Sequence, residues 1–105
     1  MPDWSIKIEG KPAVFTPDIN KAASGAPLKV VQGDLISWNN TTGEQHWPTP
    51  DDAGELGSFM TSPVAPYSPS TAYNVISKAG TTISYRCSIH PEECGTILVV
   101  NFGEN

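Results

Sequence analysis

Proline and glycine interrupt this chain so often that long helices have no room to form. Ten prolines and nine glycines punctuate 105 residues, and the short runs between them suit strands and turns better than a helical bundle. Trp4, Ile6 and Ile8 alternate with Ser5, Lys7 and Glu9, the period of a half-buried strand, and Gly10 and Pro12 end it. Ala13 to Thr16 is a short second candidate. Leu28 to Val31 and Leu35 to Trp38 follow, separated by Gln32-Gly33-Asp34, a hairpin-like turn in which glycine supplies positive φ. Tyr73 to Ser77, Thr81 to Cys87 and Thr96 to Phe102 complete the set. About seven to eight strands with turns every eight to twelve residues predict an all-β, Greek-key sandwich or barrel.

Two polar, turn-rich segments break this rhythm. Pro17 to Pro27 reads as a loop with at most one helical turn near Ile19 to Ala23. From Asn39 to Ser70 the chain carries five prolines and three glycines, so regular ladders there must be brief. A stretch of that length in a small protein is usually functional or folded against the body. No repeat, low-complexity tract or linker divides the sequence, and its length fits one domain across residues 1–105.

A net charge of −5, with six scattered basic residues, argues against a nucleic-acid surface. Six of the eleven acids, Glu44, Asp51, Asp52, Glu55, Glu92 and Glu93, lie in the segments that also carry the metal-ligand candidates. They form either solvated loops or a docking patch for a basic protein partner. No run approaches the ~20 apolar residues of a membrane span, and MPDWSIKIEG lacks the pattern of a signal peptide.

The densest chemistry lies in Cys87-Ser88-Ile89-His90-Pro91-Glu92-Glu93-Cys94. The two cysteines could pair, with stabilisation at the low end of ~2–4 kcal/mol because the closed loop is short. The metal reading uses more of the stretch. A thiolate and an imidazole three positions apart on a tight loop can reach one ion, and such donors suit copper or zinc over magnesium or calcium. A further ligand must come from elsewhere, and His46 is the only other histidine.

Gly33-Asp34-Leu35-Ile36-Ser37-Trp38-Asn39-Asn40, then His46, then Ala79-Gly80-Thr81-Thr82-Ile83-Ser84-Tyr85-Arg86-Cys87-Ser88-Ile89-His90-Pro91 with Gly95 to Val100, closely resembles the cupredoxins, small blue-copper proteins of the plastocyanin, amicyanin and azurin type. The resemblance covers roughly Leu28 to Phe102. It implies one copper ion held by His46, Cys87 and His90 with a weak axial donor, a periplasmic or extracellular location, and a redox partner protein. It also implies that Trp47, Ser88 and Asn39 surround and support the ligands.

The sequence departs from that pattern at the axial position. The family places methionine two residues before the glycine that opens the last strand, and here that frame reads Glu93-Cys94-Gly95. A coordinating Glu93 would favour Cu(II) and lower the reduction potential; if it pointed to solvent, the axial position would stay open. Cys94, shifted by one residue, is an alternative ligand. Trp47 stands where the family often has asparagine, and Met60 lacks axial spacing and reads as packing. An electron carrier is the expected function. A copper centre that binds or transforms a small molecule, copper storage or delivery, and a structural zinc site are the alternatives.

Overall fold

The computed structural model describes residues 2–105, without the side chains of Ala53 and Glu55. Eight strands and one helical turn follow one another as β1 (Asp3–Glu9), β2 (Val14–Pro17), β3 (Leu28–Val31), β4 (Leu35–Asn40), β5 (Pro48–Pro50), α1 (Ala53–Leu56), β6 (Tyr73–Asn74), β7 (Thr82–Cys87) and β8 (Cys94–Val100). They form two four-stranded sheets, ordered β2-β1-β4-β6 and β3-β8-β7-β5. The β1–β4 and β3–β8 pairs are parallel and the other neighbours antiparallel.

Alternation within the strands decides which faces meet. Ile6 and Ile8 of β1 and Ile36 and Trp38 of β4 are buried from one sheet, while Leu28, Val30, Ile83, Tyr85, Cys87, Ile97 and Val99 are buried from the other. Removing each aliphatic side chain of this set from water contributes roughly 1.5–3 kcal/mol. The irregular segment adds Phe59, Met60 and Val64 to the same core. Phe59 stacks on Trp38 with centroids 4.8 Å apart, and Tyr85 meets Trp38, Phe15 and Phe59 edge-on at 5.1–5.6 Å. The turn-rich stretch is therefore folded onto the body, and Met60 packs there.

Two expectations change. Gln32-Gly33-Asp34 is not a hairpin turn, because β3 and β4 belong to different sheets. Gly33, at φ +97°, lets the chain cross between them, and the Asp34 carboxylate holds the corner by accepting from Val31 N–H at 2.9 Å and Trp4 Nε1–H at 2.8 Å. The segment Ile19 to Ala23 is a loop of turns, within the reading of at most one helical turn, and among the described residues the helical turn is α1. The last strand begins at Cys94 and ends at Val100, two residues earlier than expected, because β7 pairs it from Arg86↔Cys94 onward.

Gly95 is required where Tyr85 crosses it. The two residues are register partners in the β7–β8 ladder, and a Cβ on Gly95 would overlap the Tyr85 ring. Burial pushes the Tyr85 phenol well above its ordinary range, so it stays a neutral hydroxyl that accepts from Trp38 Nε1–H at 3.3 Å. Gly95→Ala is expected to destabilise the fold by about 1–3 kcal/mol through overpacking. Equilibrium denaturation in urea checks this, with the transition midpoint falling at an unchanged slope.

Candidate metal centre

Three segments bring the donors to one end of the sandwich. Cys87 ends β7, where β5 pairs it with Pro48. The chain then closes a tight loop, in which Cys87 N–H donates to the Glu93 carbonyl at 2.9 Å and Glu93 N–H to the His90 carbonyl at 2.9 Å. His46 enters from between β4 and β5 and is fixed by a two-residue bridge to Val64, with hydrogen bonds of 2.8 and 3.3 Å. Each strand or bridge fixes a backbone, so the side chains converge without a flexible arm.

Cys87 Sγ lies 3.8 Å from His46 Nδ1 and 3.6 Å from His90 Nδ1. Glu93 Oε1 lies 3.0 Å from His46 Nδ1 and 3.6 Å from His90 Nδ1. All four ligand atoms fall within 4.8 Å of one another. His46, Cys87 and Glu93 are buried, and the His90 side chain keeps 27% of its surface exposed.

A chain of hydrogen bonds determines how His46 presents itself. The Asn40 amide, fully buried, directs Nδ2 at the carbonyls of Glu44, Val64 and Ala65 at 2.7, 3.3 and 3.2 Å. Its Oδ1 is thereby left to accept, and it does so from Thr42 N–H at 3.0 Å and the Thr42 hydroxyl at 2.7 Å. With its single proton committed to Asn40, Thr42 Oγ1 accepts from His46 Nε2–H at 3.0 Å. The Nδ1 lone pair of His46 then faces the cluster.

That lone pair and Glu93 Oε1 approach to 3.0 Å, within ion-pair range, yet Oε1 is buried and has no hydrogen-bond partner. Two electron-rich atoms held so close repel unless a proton or a metal cation bridges them. Opposite them, Trp47 N–H donates to Cys87 Sγ at 3.2 Å. Two nitrogens, a sulfur and an oxygen converging in this way fit copper or zinc.

The remaining expected residues separate. Cys94 is exposed and outside the cluster, its Sγ 3.7 Å from the Pro91 carbonyl; both cysteines are free. Ser88 supports the loop through its backbone, donating N–H to the Trp47 carbonyl at 3.0 Å. Asn39 was expected among the supports but faces solvent, because strand alternation puts residues 36, 38 and 40 on the inner face. Asn40 takes the role. Strand parity starting from Trp38 points to Asn40, whereas nothing local marks Thr42 or Ala13, whose N–H reaches Glu93 Oε2. Among the six clustered acids, Glu93 is interior, Asp51 pairs with Arg86 at 2.9 Å, and Glu44 lies 3.7 Å from Lys11.

No family model and no curated protein sequence match the chain. Solved structures do, and they show that it has the cupredoxin fold. Amicyanins are among the matching structures. Amicyanin from Paracoccus versutus is 18% identical over 90% of this chain and 78% of that one, with a TM-score of 0.62. The reduced Cu(I) form, at pH 4, of a proline-to-glycine amicyanin variant is 23% identical over 90% and 79%, with a TM-score of 0.61. An oxidised proline-to-alanine variant is 27% identical over 70% and 68%, with a TM-score of 0.55.

Thr42→Val removes the acceptor that sets the His46 tautomer. The expected result is a loss of about 1–3 kcal/mol from the unpaired buried donor, together with a shifted tautomer balance at His46 by ¹⁵N NMR of the metal-free protein.

Proposed function

We propose that residues 1–105 form one copper-binding, electron-transfer domain in which His46, Cys87, His90 and Glu93 hold a single copper ion. The convergence of these four ligand atoms within 4.8 Å carries the reading, and the likeness to amicyanin favours copper over zinc. Copper supplies a one-electron couple between Cu(I) and Cu(II) within one donor set.

The chain's part is to keep that donor set fixed. His46 is held by the bridge to Val64 and by Thr42, and Cys87 by β7 and the Trp47 N–H. Little has to move when an electron arrives. His90, the one ligand with substantial exposure, is the natural edge for electron exchange with a partner protein. Glu93 adds a second buried anion beside the Cys87 sulfur, which favours the divalent ion and lowers the potential. The carboxylate also fills the position that a small-molecule substrate would need. The partner presents a basic surface to exposed acids such as Asp52 and Glu92. The protein works in the periplasm or outside the cell, which fractionation of the host checks.

Copper-loaded protein is expected to show a thiolate charge-transfer absorption that Cys87→Ser abolishes, reversible one-electron reduction, and slow loss of metal to a chelator. Fast exchange would support storage or delivery instead. Glu93→Gln is expected to raise the reduction potential by at least about 60 mV, equivalent to a tenfold shift in the one-electron equilibrium. An unchanged potential and EPR spectrum would remove Glu93 from the ligand set. Electron exchange with a basic partner is expected to slow as ionic strength rises, as stopped-flow kinetics at increasing salt would show.

A further inference from the structure

We propose that the backbone N–H of Ala13, carried by the turn between β1 and β2, is a positioning group for the metal centre: it holds one carboxylate oxygen of Glu93 and leaves a single oxygen to face the ion. The proposal rests on the reading of His46, Cys87, His90 and Glu93 as a metal site. It specifies how the unusual fourth donor is used.

The two oxygens of Glu93 have different surroundings. Oε2 accepts from Ala13 N–H at 2.9 Å, a buried bond between residues 80 positions apart in sequence. Oε1 has no hydrogen-bond partner and faces the two imidazoles at 3.0 and 3.6 Å. Turning Oε2 toward an ion would break its bond and leave the Ala13 N–H buried and unpaired, a penalty comparable to the full desolvation of that group. A carboxylate free of such a restraint can bind a metal through one oxygen or through both.

The donor is also well anchored. Ala13 is buried and stands immediately before the ladder of β1 and β2, whose partners are Glu9↔Val14 and Ile8↔Phe15. Phe15 in turn packs edge-on against Tyr85, two residues before Cys87. The N–H therefore belongs to the rigid sandwich, while Lys11 at the exposed side of the turn reaches outward to Glu44. Restricting Glu93 to one oxygen gives one donor atom from each of four side chains. That number suits ions that take four nitrogen, sulfur and oxygen ligands and disfavours those that need six or more oxygens.

Glutamine at position 93 separates this device from the metal site itself. A glutamine has one acceptor oxygen, which the Ala13 N–H claims, so its amino group turns to the cluster and cannot ligate. In the metal-free protein, the Ala13 amide should exchange with solvent at least about tenfold faster in Glu93→Ala than in the wild type, and within about threefold of the wild type in Glu93→Gln. After Co(II) loading, X-ray absorption should count one fewer protein donor in Glu93→Gln than in the wild type. An Ala13 amide equally protected in wild type and Glu93→Ala, or an unchanged donor count in Glu93→Gln, overturns the proposal. Failure of the underlying metal reading would appear separately, as no uptake of Co(II) or copper by the wild-type chain.

Discussion

The hydrogen bonds of the Asn40 side chain organise one half of the candidate metal centre. A buried amide must satisfy its polar atoms inside the protein, and Asn40 does so by gathering the carbonyls of Glu44, Val64 and Ala65. Two segments without regular ladders are thereby tied to the end of β4. The same amide decides the direction of the Thr42 hydroxyl, and through it the tautomer of His46. Chemistry at the far end of that chain is set by a residue that touches no ligand atom. The arrangement is high-stakes because each member depends on its neighbour for a partner.

The other half depends on β-sheet geometry. β7 delivers Cys87 to the end of the sandwich with its side chain inward, and the loop returns at Glu93 through bonds made by its own backbone. Cys87 and Glu93 thus face each other across a water-poor space as two potential anions. Such a pair is unfavourable alone and becomes favourable when a divalent cation joins it. The two imidazoles stand beside them, and of these four side chains only His90 is partly exposed.

Much of this was legible in the sequence because it rests on local periodicity and motif spacing. The strands of Ile6 and Ile8, of Ile36 and Trp38, and of Ile83, Tyr85 and Cys87 follow from alternation, and the loop from Cys87 to Gly95 declares its donors by residue type. What escaped depends on long-range geometry. Whether Gln32-Gly33-Asp34 closes a hairpin or turns a corner is decided by the partners β3 and β4 find, β8 and β1. The one-residue difference between Asn39 and Asn40 follows from strand parity, which the motif spacing already contained. The contact of Ala13 with Glu93 joins opposite ends of the chain, and nothing near either residue announces it.

The packing of Tyr85 over Gly95 has a consequence for how such a protein can diverge. These partners lock the β7–β8 ladder close to where it opens into the ligand loop, so the stem is complete without reference to what the loop contains. The loop residues Ser88 to Glu93 lie outside the paired residues of this ladder, so donors exchanged there leave its register pairs unaltered. Scaffold and metal chemistry are in this sense separately heritable: one can stay constant over long divergence while the other is rewritten a residue at a time.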